Sequence, residues 1–136
     1  MEQVTLWSHE TVLTAEAGSA AKARNFVVHQ LVEHRLLYMV DDVRLVTSEL
    51  AANAVVRTQS DFTVILEGRE NSVLLTVRDG PPIASAPSPD VPYVMRIAGR
   101  GLLIVNMRSQ AWGVAGPDAT GKSVWASFPT RSRAVS

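Results

Sequence analysis

Apolar residues recur along this chain with two periods, and each change of period marks an element. His9 to Thr14 is rich in β-branched residues and reads as a first strand. After Ala15-Glu16-Ala17-Gly18, with Ser19 as the expected N-cap, Ala20, Ala23, Val27 and Leu31 recur at helical spacing, flanked by Phe26. Lys22, Arg24 and Glu33 fall on the other side, so the pattern predicts a helix over about residues 19–34. Asp41-Asp42 opens a second helix, where carboxylates suit the positive end of the dipole. Its stripe is Val43, Val46, Leu50 and Ala54, and beside it run Leu45, Glu49, Asn53 and Val56.

From Asp61 to Glu67 the period drops to two, with Phe62, Val64 and Leu66 set against Thr63, Ile65 and Glu67. A turn over Gly68 to Asn71 and a second alternating run, Ser72 to Asp79, predict an antiparallel hairpin. Asp79 shares a face with Val73, Leu75 and Val77, which puts a carboxylate on the apolar side of the sheet. Gly80-Pro81-Pro82 ends that strand, because proline cannot donate to a ladder. Residues 83–98 show no period and carry three prolines; a segment this long between elements reads as a lid or binding loop. Gly99-Arg100-Gly101 closes it, and a helix is expected to begin at Leu102. Ala111 to Ala115 and Lys122 to Phe128 form a last pair of strands around the turn from Gly116 to Gly121. The expected fold is an α+β two-layer sandwich, its mixed, mostly antiparallel sheet covered on one face by about three helices. One domain is expected over residues 1–136, with its core at 9–128, a lid at 83–98 and a flexible tail at 129–136.

Composition narrows the function classes. At 136 residues with 46% hydrophobic and 19% charged positions, the chain can bury one core and does not read as disordered. Lys+Arg and Asp+Glu stand at 13 each, so no global field draws it to nucleic acid or to an anionic membrane. With no cysteine, disulfides, thiolate metal sites and a cysteine nucleophile are excluded. Met1-Glu2-Gln3 lacks the basic start of a signal peptide, and no run approaches the roughly 20 apolar residues of a membrane span, so a cytoplasmic location is expected. His9, His29 and His34 lack metal-ligand spacing and Trp7, Trp112 and Trp125 read as core or interface anchors, so zinc is not expected.

Three features share one chemistry. Glu49 and Asn53 are one turn apart on a helix face, Asp79-Gly80 ends a strand, and Gly99-Arg100-Gly101 precedes a helix. A sheet carboxylate can accept a hydrogen bond from an exocyclic amine. A glycine-rich turn into a helix N-terminus presents free amides to phosphate, and Arg100 adds charge-assisted bonds. Asn53 offers a hard oxygen to Mg²⁺, and Glu49 can orient or deprotonate an attacking hydroxyl. Together they point to a nucleotide. Taken singly, each is a common structural feature: a solvated helix face, a turn, a loop-to-helix joint.

Order and spacing add a family resemblance over about His9 to Phe128. Val46-Thr47-Ser48-Glu49-Leu50-Ala51-Ala52-Asn53-Ala54-Val55 resembles the N box of GHKL, or histidine-kinase-like, ATPase domains, in particular the anti-sigma factor serine kinase branch. Val77-Arg78-Asp79-Gly80 resembles the next box, Gly99-Arg100-Gly101-Leu102 with Trp112-Gly113 the following one, and Gly121-Lys122-Ser123-Val124-Trp125 the last. The resemblance implies the Bergerat-type ATP-binding fold, ATP or ADP with Mg²⁺ as cofactors, Asn53 as the metal ligand and Glu49 as the catalytic residue of phosphoryl transfer. It also implies adenine binding by Asp79 with Gly80, phosphate contact by Gly99, Arg100, Gly101 and Leu102, and Ser123 near the nucleotide. Arg57 and Lys122 are candidate phosphate contacts. The implied activity is that of an anti-sigma factor that phosphorylates a serine of an anti-anti-sigma antagonist, acting as a homodimer on a sigma factor. The chain departs from the branch at Val56-Arg57, where its members usually carry Arg-His, and at Pro81-Pro82. The alternative is a non-catalytic ATP-binding interaction module. A sensor histidine kinase fragment is disfavoured, because no phosphoacceptor helix pair precedes the domain.

Overall fold

The alternating segments pair into a single sheet and the 3.6-period segments cover one side of it. The computed structural model describes residues 4–57, 60–79, 100–118 and 121–130. In chain order the elements are β1 (Thr5–Leu13), α1 (Ser19–Glu33), a 3₁₀ turn (Leu37–Met39), α2 (Val40–Arg57), β2 (Phe62–Arg69), β3 (Ser72–Asp79), α3 (Arg100–Arg108), β4 (Ala111–Asp118) and β5 (Gly121–Pro129). The sheet runs β1-β2-β3-β5-β4, which places the last strand inside and leaves β1 and β4 at the edges. A mixed sheet was expected, but every pairing among the described residues is antiparallel.

The core follows the strand alternation. Phe62, Val64 and Leu66 of β2, Val73, Leu75 and Val77 of β3, and Val124, Ala126 and Phe128 of β5 are all buried on one face. They meet Ala23, Val27 and Leu31 of α1, Val43, Val46, Leu50, Ala51 and Ala54 of α2, and Val105 of α3. Burial of each large side chain is worth about 1.5–3 kcal/mol relative to exposure, so this single apolar layer between helices and sheet carries the stability. Among the described residues no helix is long and apolar enough to cross a membrane.

Several expected boundaries move, each for a local reason. β1 starts at Thr5 rather than His9, because Thr5 to Ser8 continue the pairing with β2. Ser19 is not the cap of α1: Gly18 takes the N-cap position, and the Ser19 side chain turns inward, its Oγ 3.4 Å from Thr14 Oγ1. α1 ends on a left-handed residue that is not glycine. Arg35 adopts φ 60°, its N–H donates to Val32 O (3.1 Å), and the Leu36 N–H donates to Leu31 O (2.8 Å), a complete Schellman closure. Gly68 and Arg69 belong to β2 rather than to the turn, which narrows to Glu70-Asn71. α3 begins at Arg100, so Gly101 lies within the helix rather than before it. Pro129 ends β5 and the Thr130 N–H donates to Asn71 O (3.0 Å), so these two residues of the expected tail at 129–136 are tied to the sheet, and the rest of it lies outside the described residues. The expected lid at 83–98 lies outside the described residues.

Candidate functional site

Glu49 and Asn53 sit on a flank of α2. The buried stripe of that helix, Val43, Val46, Thr47, Leu50, Ala51 and Ala54, faces the core. The period of 3.6 leaves Glu49 and Asn53 half-buried at its border. Asp42 lies on the same strip of the helix, seven residues before Glu49 and eleven before Asn53, and its Oδ1 accepts a hydrogen bond from Arg108 Nη1 at 3.2 Å. The strip that carries the pair is therefore the one turned towards α3. Because this ion pair joins the last turn of α3 to the first turn of α2, the N-terminus of α3 lies away from the start of α2. A second tie, from Trp112 Nε1 to Asn106 Oδ1 at 3.3 Å, holds α3 to β4.

Asp79 closes β3 on the face expected for it. It pairs in register with Phe62, which is fully buried, and its own residue surface is only 6% exposed. A carboxylate at the sheet end beneath the helices is costly to desolvate, which is why such a group is held by hydrogen bonding when it persists. Register also separates two neighbours that the sequence had placed together. Ser123 lies opposite Arg78, on the face turned away from the helices, whereas Val124 on the other face lies opposite Val77. By alternation Lys122 shares the face of Asp79, and Ser123 does not.

Arg100, Gly101 and Leu102 form the first turn of α3 and Arg57 is the last residue of α2. A helix start of this kind exposes backbone amides and the positive end of the dipole. Gly80 and Gly99 lie outside the described residues. The elements thus place Asp79 and Lys122 on the helix-facing side of the sheet and Glu49 and Asn53 half-buried on the strip of α2 turned towards α3.

One neighbour carried no sequence signal. Arg24 reaches across from α1 and donates from Nη1 to Ser48 Oγ at 3.0 Å, next to Glu49 in the chain. Arg24 and Ser48, with Asp41, Arg44, Leu45 and Arg108, line an open recess of about 380 Å³. None of Glu49, Asn53 or Asp79 lines it, and two of its three guanidiniums already pair with carboxylates, Arg44 with Asp41 at 3.3 Å and Arg108 with Asp42. It is a surface groove beside the candidate site.

The donor set suits a magnesium nucleotide. Mg²⁺ keeps several waters and takes one or two protein oxygens together with phosphates, a demand that a single carboxamide such as Asn53 meets. A buried carboxylate at Asp79 suits an amine donor, and the opening turn of α3 suits an anion. No protein-family model matches the chain, and a search of curated proteins finds no match.

Proposed function

We propose that this domain binds ATP with Mg²⁺ between its helices and the β3–β5 end of the sheet, and that it acts as an anti-sigma factor with protein-serine kinase activity. The observation that carries the reading is the position of Asp79: an acid at 6% exposure, on the helix-facing side of β3, in the sequence context Asp-Gly. The half-buried Glu49/Asn53 strip facing α3 supports it, as does the order of the four boxes described above. Asp79 would accept from the adenine amine, Asn53 would ligate Mg²⁺, and the first turn of α3 would receive phosphates. Lys122, on the face of Asp79, replaces Ser123 as the β5 residue nearer the nucleotide.

Mg²⁺ supplies charge neutralisation on the phosphates when bound. Glu49 would accept the proton of the attacking hydroxyl, and its half-buried position limits competition from water. The hydroxyl would come from a serine of an anti-anti-sigma protein, and transfer would set whether the domain holds that antagonist or a sigma factor. Operation as a homodimer in the cytoplasm belongs to the same proposal.

The test is incubation with γ-labelled ATP and candidate antagonist proteins. Label on an antagonist serine that disappears with Glu49→Gln supports the kinase. Saturable ATP binding with no transfer to any antagonist would replace it with a nucleotide-binding interaction module, the reading that Val56-Arg57 in place of Arg-His favours.

A further inference from the structure

Three side chains that are unremarkable in the sequence meet far from the candidate site. His9 faces the helices from the edge strand, opposite Leu66, and His34 is the C-cap residue of α1. Their Nε2 atoms are 3.0 Å apart. The ring centroids are 5.2 Å apart, about the nitrogen separation plus one ring radius at each end, so the two nitrogens point at one another. Trp7 lies flat on His34, with centroids 3.8 Å apart and planes 7° from parallel. It occupies the space over Gly68, where a Cβ would collide with the indole. A register shift between Thr5 and Trp7 sets the indole there.

We propose that Trp7, His9 and His34 form a proton-operated latch, which holds the outer half of β1 against the end of α1 until both imidazoles carry a proton. The hydrogen-bond inventory requires it. Two neutral imidazoles make one N–H···N bond, and a first added proton keeps one donor facing one acceptor. A second proton must take the accepting nitrogen, leaving two donors and two positive charges head-on. The pair then separates, and the indole stacked on it loses its platform.

The surroundings do not offset that charge. Burial lowers the affinity of His34 for a proton, His9 lowers it further, and Glu33 raises it. On α1, Glu33 also faces His29 at 4.0 Å, and exposed Arg35 follows the cap. On β2 the helix-facing neighbours are Leu66 and Gly68, while Glu67 and Arg69 point to the opposite face, as does Glu10 of β1. β1 is vulnerable to release, since it is laddered on one side only and its outward positions Leu6 and Val12 are exposed.

The experiment is amide hydrogen exchange of the whole protein, corrected for intrinsic rate, with histidine side-chain NMR across the same pH range. Protection of residues 6–9 is expected to fall roughly tenfold or more between about pH 7.5 and 5, while residues 73–77 of β3 hold theirs. With His9→Gln, which gives His34 an amide oxygen to bond in either charge state, the fall is expected to vanish. Unchanged protection of residues 6–9 while both imidazoles titrate fully in the wild-type protein overturns the proposal. So does an equal fall in His9→Gln.

Discussion

Gly68→Ala separates two opposing effects at one position. Among the described residues the glycines with positive φ are Gly116 and Gly121, not Gly68, so the Gly68 backbone accepts an alanine without strain. The substitution by itself reduces the entropy of the unfolded chain and stabilises by about 0.4–1 kcal/mol. Against this, the new Cβ falls inside the indole of Trp7 and evicts it. Trp7 is half-buried, so about 100 Å² of its apolar surface returns to water, worth about 2.5 kcal/mol, and the stack on His34 adds about 0.5–1.5 kcal/mol. Part of that is recovered where the ring settles elsewhere. The eviction wins, and Gly68→Ala is expected to destabilise by about 1–3 kcal/mol in urea unfolding at neutral pH. In a Trp7→Ala background only the entropy effect remains, and the same substitution is expected to stabilise by about 0.4–1 kcal/mol. A change of the same sign and size in both backgrounds refutes the packing argument.

Other expectations follow from the same structure. Arg35→Gly relieves a left-handed side chain at the Schellman position and should raise stability by about 1 kcal/mol in the same assay, since φ 60° costs glycine little. Phe62→Ala, at a fully buried position opposite Asp79, should cost about 3–5 kcal/mol, whereas Arg108→Ala, breaking a pair about half exposed on both sides, should cost less than about 1 kcal/mol. His34 holds its proton less tightly folded than at the ordinary 6.5, so between that lowered value and 6.5 the unfolded chain binds the proton first. Stability should therefore fall as pH falls through this window, and His34→Gln should flatten that part of the pH–stability curve.

The helical stripes of α1 and α2 and the alternation of β2 and β3 were legible because each periodic set points at one core, and the structure buries Ala23, Val27, Leu31, Val43, Val46 and Leu50 as the spacing predicts. Asp79 was legible for the same reason: parity alone puts it beside Val77. What escaped was set by contacts distant in the chain. The purely antiparallel sheet depends on β5 entering between β3 and β4, a choice that strand patterns do not encode. Gly68 reads as a turn residue unless it is known that Trp7 lies over it. Which of Lys122 and Ser123 faces the helices is decided by register with Arg78 and Val77, not by position in the motif. His9 and His34 look scattered along the chain, and only the closure of α1 against β1 brings their nitrogens together. The end of α1 carried no glycine to announce it, since Arg35 takes the left-handed position.

Calorimetric titration of the whole protein with ATP, in the presence and absence of Mg²⁺, tests whether Asp79 and Asn53 hold a magnesium nucleotide. Saturable binding is expected that strengthens with Mg²⁺, falls at least about tenfold with Asp79→Asn, and loses its Mg²⁺ dependence with Asn53→Ala. No ATP binding by the wild-type protein, or affinity and Mg²⁺ dependence unchanged in both variants, would contradict that assignment.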